Sequence, residues 1–230
     1  MTNKYVDFVS DEDFLECVKY VCEAYPEKII EIDMNKLKRN ALDHTKLLFD
    51  IYNNEIEFKH WITGERIRQT DKTVSNRIGE FHQKLLGKVK GWQDLGRGDP
   101  LGIDLKNNDE TIFIELKNKH NTVKGKDHKS VFDKLKKVLD KYPESTIYYA
   151  YIIPKKPSTG ERIWNPSKRE PNEQIKEIWG SKIYELITGD TDALQKVIAA
   201  LPKAIKTITN SNHELSETDK KIIEEIFKKE

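Results

Sequence analysis

Three side chains within GIDLKNNDETIFIELKNK, residues 102–119, have the types and spacing for chemistry on a phosphate ester. Successive residues of a strand point to opposite faces. Ile112, Ile114 and Leu116 therefore share one face, and Phe113, Glu115 and Lys117 the other. Asn107, Asn108, Asp109 and Glu110 suit a hairpin turn joining a strand at Gly102–Lys106 to one at Thr111–Lys117. A turn centred on Asn108–Asp109 pairs Lys106 with Thr111 and sets Asp104 opposite Phe113. Asp104 is then diagonal to Glu115 on one face, about 7–8 Å away. Two carboxylates at that separation can lean onto one divalent ion, with Lys117 beside it. Phosphodiester hydrolysis calls for such a set. Oxygen ligands hold Mg²⁺, which keeps several of its waters, and the metal acidifies water and offsets charge on the phosphorane. The lysine orients the attacking water, or helps deprotonate it if its own pKa is depressed. A surface salt-bridge ladder would show the same spacing. Against that reading, Glu115 and Lys117 interrupt an otherwise apolar strand, and NKHNTVKGKDHK after them supplies cations where a phosphate backbone would pass.

The elements that must position this trio can be read on either side of it. Ser10, followed by Asp11, Glu12 and Asp13, marks a helix start leading into Phe14, Cys17, Val18, Val21 and Cys22. A second helical stretch runs from Asp33 through Leu37, Ala41, Leu47, Leu48 and Ile51. A third spans Thr73 to Leu86 with Gly87 as its closing residue and Ile78, Phe81 and Leu85 as its apolar stripe. Trp92–Leu95 predicts a short strand, and GRGDP a turn. Lys126–Lys141 predicts a helix with Val131, Leu135, Val138 and Leu139 turned inward. STIYYAYII, residues 145–153, predicts a buried strand. Pro154 to Pro171 reads as a loop rich in Pro, Lys and Arg. The remainder reads as helical, including Asp192–Thr207 and Glu217–Lys229. The fold class is α/β: a mixed central sheet flanked by helices, with helical additions at both ends. With no internal repeat, one domain is the simplest organisation, divided into a helical part (1–70), a catalytic core (73–153) and a basic loop with C-terminal helices (154–230).

Bulk properties narrow the partners. The 230 residues suffice for one substantial α/β domain, 34% are charged, and the net charge is only +1. Positive charge is instead local: Thr111–Lys141 holds nine Lys or Arg against four acids, whereas the first sixty residues hold thirteen acids against eight bases. Such asymmetry points to a polyanion, although solvated helix faces also produce it. Cys17 and Cys22 lie about 140° apart around a helix, as befits buried thiols rather than a bridge or metal site. No apolar run reaches the ~18–20 residues of a membrane span, and the polar start MTNKYVD is not a secretory signal, which makes a reducing cytoplasm the default. No P-loop is present, the six histidines are scattered, and Tyr148-Tyr149 lacks the glycines of tyrosine-based nucleases.

Asp104 followed by Glu115-Leu116-Lys117 resembles the bipartite signature of the PD-(D/E)xK nuclease superfamily. IGEFHQKLLG (78–87), GWQDLGRGDPLGIDL (91–105), FIELKNKHNTVKGKD (113–127) and IWGSKIYELITG (178–189) together resemble type II restriction endonucleases that cut GGNCC or GGWCC sites. The resemblance implies Mg²⁺-dependent cleavage of double-stranded DNA, Asp104 and Glu115 as metal ligands, and Lys117 as the catalytic lysine. It also implies a separate cognate DNA methyltransferase. Glu80, which shares a helix face with Gln83 and Lys84, becomes a candidate outer-shell metal contact, with Gln83 auxiliary beside it. The proline follows Asp99 rather than preceding the metal-binding aspartate, so Asp99 is the competing ligand. Pro100 would interrupt a strand there, which favours Asp104.

Cutting at a defined sequence also needs readers of bases and grips on phosphates. Base-reading candidates are Arg162, Lys168 and Arg169 in the long loop and Asn118, His120 and Asn121 after the catalytic strand. Lys119, Lys124, Lys126 and Lys129 suit phosphate contacts. Trp164 could pack on the protein or on DNA. A palindromic site mirrors a twofold protein, so a homodimer is expected. A resolvase-like or repair nuclease would use the same trio on branched DNA, and a non-catalytic DNA-binding protein would keep it as an ion pair.

Overall fold

The computed structural model describes residues 3–25, 42–123, 127–166 and 170–227. Ser10 starts helix α1 (Asp11–Cys22) as the sequence predicts, its Oγ accepting from the Asp13 amide at 3.1 Å. Part of the second predicted helix lies outside the described residues. Its remainder is α2 (His44–Asn54), capped by Asp43, whose side chain accepts from the Lys46 amide. The third helix is longer than predicted. α3 runs from Phe58 to Gly87, because residues 58–72 carry few apolar positions and hold their turns with polar pairs such as Arg68 and Gln69 on Glu65. Gly87 is not a left-handed cap. A Cβ there would lie 2.5 Å from Asp94 Cβ and 2.6 Å from the Asp94 amide, so glycine is needed for the close approach of helix to strand.

Six strands form one mixed sheet in the order β1-β2-β3-β4-β6-β5: β1 (Trp92–Asp94), β2 (Leu105–Asn107), β3 (Ile112–Lys119), β4 (Thr146–Ile153), β5 (Gly160–Ile163) and β6 (Ile175–Trp179). The pairs β1–β2, β2–β3 and β5–β6 are antiparallel, whereas β3–β4 and β4–β6 are parallel. Helix α4 (His128–Lys141) is the crossover that parallel pairing of β3 and β4 requires. Helices α5 (Lys182–Thr188), α6 (Ala193–Thr209) and α7 (Glu217–Phe227) follow. The mixed α/β class with helical ends is the expected one.

Two strands depart from the sequence reading. β5 lies inside the predicted loop: GERI is an exposed edge strand, and its charges and flanking loop residues mask its pairing propensity. β6 lies inside the predicted helical remainder, because Ile175 and Ile178 fall at helix-like spacing. Both are fully buried, one to each face, as an interior strand demands.

The sheet separates two cores. On one face Leu105, Ile114, Leu116, Tyr148, Ala150 and Ile178 pack against Phe14 and Val18 of α1, Phe81 and Leu85 of α3, and Val197 of α6. On the other, Phe113, Ile147, Tyr149 and Ile175 pack against Phe132, Leu135 and Val138 of α4 and against Trp164. Among the described residues no helix is long and apolar enough to cross a membrane. Both cysteines are free, Cys17 buried and Cys22 partly so.

Candidate active site

β3 divides its side chains as the alternation predicts. Ile114 and Leu116 enter the larger core and Phe113 the α4 core, and Glu115 and Lys117 follow Phe113 on that same face. The hairpin register differs from the prediction by two residues: Leu105 pairs with Ile114 and Lys106 with Phe113. Asn107 joins the strand and its Oδ1 accepts from the amides of Thr111 and Ile112, each at 2.9 Å, so the turn begins one residue later. Because the shift is even, the face is preserved. Asp104, expected within a strand at Gly102–Lys106, instead occupies a bend just before β2, its amide donating to the Ile114 carbonyl at 3.1 Å.

The trio is in contact. Asp104 Oδ2 accepts from the Leu116 amide at 2.7 Å and lies 3.6 Å from Lys117 Nζ. Lys117 Nζ lies 2.7 Å from Glu115 Oε1. The two carboxylates thus converge on one positive centre beneath a largely closed surface, with the Glu115 side chain 7% exposed and those of Asp104 and Lys117 each 22% exposed. Burial raises the Asp104 pKa above its ordinary value, the neighbouring Lys117 only partly opposing this. Burial also disfavours the Lys117 ammonium, but Asp104 and Glu115 outweigh that and raise its pKa. In this arrangement the Lys117 ammonium lies against both carboxylates.

A fourth group, which the sequence did not single out, completes the cluster. Lys134 of α4 places Nζ 2.6 Å from Glu115 Oε2 and donates to the Gly102 carbonyl at 2.6 Å. Its partners lie far away in the chain, and within the run DKLKK no spacing distinguishes it from its solvated neighbours. On β4, Tyr149 pairs in register with Glu115. Its buried hydroxyl has no hydrogen bond, and burial, then the charge of Glu115, pushes its pKa up to about 12.

The other candidates are placed as follows. Gln83 donates to Asp94 Oδ1 at 2.6 Å and approaches the Asp104 carbonyl at 3.5 Å, bracing the bend that carries the aspartate. Glu80 directs one carboxylate oxygen to the Tyr20 hydroxyl and the other to Arg97. Asp99 Oδ1 accepts from the Leu101 amide at 2.8 Å, closing the loop ahead of Asp104. Asn118 and His120 are partly buried, and Asn118 Oδ1 and His120 Nδ1 are enclosed without a hydrogen bond. Lys119, Asn121 and Lys129 are exposed. Arg162 pairs with Glu177 and lies over the Trp179 ring, 5.6 Å from its centroid. Trp164 packs on the protein, stacked on Tyr149 at 4.4 Å with 9° between the planes. Lys124, Lys126, Lys168 and Arg169 lie outside the described residues.

The described residues contain no group of three or more His, Cys, Asp or Glu that could hold a metal. The donor set at Asp104 and Glu115 is two carboxylates, which suits Mg²⁺: that ion typically takes one or two protein carboxylates and fills its shell with water and phosphate oxygen. Glu115 Oε2 is a buried hard oxygen facing the Lys134 ammonium at 2.6 Å, so an ion held there would take that ammonium's place.

Residues 6–210 match the family model described as Eco47II restriction endonuclease. The chain belongs to the Eco47II restriction endonuclease family. It is therefore grouped with the type II site-specific deoxyribonucleases. Two relatives agree. The type II restriction enzyme Sau96I of Staphylococcus aureus is 34% identical over 218 residues, covering 89% of this chain and 81% of the relative. The type II restriction enzyme Eco47II of Escherichia coli is 34% identical over 214 residues, covering 88% and 87%.

Proposed function

We propose that this chain hydrolyses phosphodiester bonds of double-stranded DNA at a short palindromic site of the GGNCC type, using Mg²⁺, with Asp104, Glu115 and Lys117 as its catalytic group. The observation that carries the reading is the convergence of both carboxylates on the Lys117 ammonium where the bend before β2 meets β3. Asp104 and Glu115 would hold the metal. The chemistry that a bound Mg²⁺ supplies is Lewis acidity, which acidifies water and offsets charge growing on the phosphate. Lys117 donates to the attacking oxygen and fixes its line of approach. The Leu116 amide holds the Asp104 carboxylate in one orientation, and Gln83 steadies the backbone behind it. Glu80 acts at a distance, through the loop that Arg97 anchors, and Asp99 shapes the turn before Asp104.

Asn118, near the end of β3, and His120, just after it, carry unpaired polar atoms and are the base-reading candidates nearest the trio, with exposed Asn121 beside them. Lys119 and Lys129 supply phosphate contacts. Arg162 would have to exchange Glu177 for a guanine edge to read sequence. Two strands cut at a palindrome require two sites, so the working form is a homodimer, in a cytoplasm where a separate methyltransferase protects the host sites.

Digesting a DNA of known sequence with Mg²⁺ and mapping the ends tests the proposal. Defined ends within GGNCC-type sites are expected for the wild type, with no cutting by Glu115→Ala or Lys117→Ala although both remain folded. Full cleavage by either variant, or cutting confined to branched DNA, would overturn it.

A further inference from the structure

Lys134 has no place in the reaction just described, yet it is built into the site. It reaches from a different element, α4, to the Glu115 oxygen that Lys117 leaves alone. Its stem passes over Gly102, where a Cβ would sit 3.2 Å from Lys134 Cδ. Gly102 itself holds φ +65°, so glycine supplies both the backbone turn and the room for the lysine. By bridging the Gly102 carbonyl and Glu115 Oε2, Lys134 ties the segment leading to Asp104 to the middle of β3.

The charges balance. Asp104 and Glu115 contribute two negative charges, and Lys117 and Lys134 two positive charges in direct contact with them. Without Lys134 the cluster would carry one net negative charge in a partly closed site, where repulsion of a phosphate is weakly screened. With Lys134 it is neutral and admits one. A divalent ion approaching Glu115 meets the opposite situation, since the ammonium already lies against Oε2. Lys134 can give way: its side chain is 32% exposed on a flexible four-carbon stem.

We infer that Lys134 is a resident counter-cation of the nuclease site, admitting a DNA phosphate before the metal arrives and ceding Glu115 Oε2 when it does. This rests on the nuclease reading above and adds an order of events to it: DNA can enter first, and the metal completes the site.

The test uses Lys134→Met and Lys134→Arg in the full chain. One measurement is anisotropy of a labelled duplex carrying a GGNCC site in EDTA, and the other is calorimetric titration of Mg²⁺ alone into DNA-free protein. Lys134→Met should weaken metal-free duplex binding about three- to tenfold and tighten Mg²⁺ binding by a similar factor, the sizes following from loss of one close charge. Lys134→Arg should behave as wild type in both. Changes under twofold in Lys134→Met, or loss of either property in Lys134→Arg, would overturn the inference. Failure of the nuclease reading looks different: wild-type protein would leave the duplex intact with Mg²⁺, whatever the Lys134 variants do in the two binding measurements.

Discussion

The two faces of β3 are built from the same eight residues and do opposite work. Toward α1 and α3, Ile114 and Leu116 are enclosed by apolar side chains from three helices, and Leu105 continues that surface onto β2. Toward α4, the strand begins with Phe113 buried under the helix and then turns to Glu115 and Lys117, where the cover is Lys134 instead of a hydrophobe. The difference teaches how a charged group proposed as catalytic can be held in place. The charged groups have little apolar packing of their own, so their position is set by their neighbours' side chains locked on the reverse face.

The sharpest test of that division compares adjacent residues. Glu115→Gln should reduce Mg²⁺-dependent cleavage by about 10³-fold or more, in line with removal of a positioned charged group, while leaving the protein folded. Ile114→Ala should do the reverse, costing about 2–5 kcal/mol of stability in denaturant titration, with normal turnover per folded molecule at low temperature. A stable but inactive Ile114→Ala would break the comparison.

Trp164→Ala sharpens it from the other side. This tryptophan lies on the chemical face but belongs to the stack with Tyr149 and Phe132. A loss of about 3–5 kcal/mol is expected in the same titration, and an unchanged stability would mean that the α4 face has no core of its own.

The smallest effect is one of pH on the opposite face. His82 hydrogen-bonds Tyr184 at 2.7 Å, and burial pulls its pKa down to about 4. The folded protein keeps it neutral while the unfolded chain takes up a proton below its ordinary value of about 6.5. Its contribution is therefore complete above that value and lost as pH falls from about 6.5 towards 4. Between pH 7 and pH 5 the loss should be on the order of 1–2 kcal/mol, and His82→Gln should flatten that part of the stability profile.

Much of this was legible in the sequence for definite physical reasons. Alternation in IFIELK placed Glu115 and Lys117 on one face, and the cap at Ser10 and the amphipathic run of α4 located two helices. What was not legible depended on contacts distant in the chain. The turn start was decided by the Asn107 side chain capping two amides, a local choice that composition leaves open. β6 carried helix-like spacing because both of its faces are buried, and the role of Gly87 emerges only once β1 lies against α3. Lys134 looks like any surface lysine until Gly102 and Glu115 are brought to it.

The hydrogen bond from the Leu116 amide to Asp104 Oδ2 has a practical sequel. A carboxamide offers the same acceptor oxygen without the charge. Asp104→Asn should therefore keep the hairpin intact while silencing hydrolysis, giving a form of the enzyme that sits on its uncut target long enough to be crystallised there.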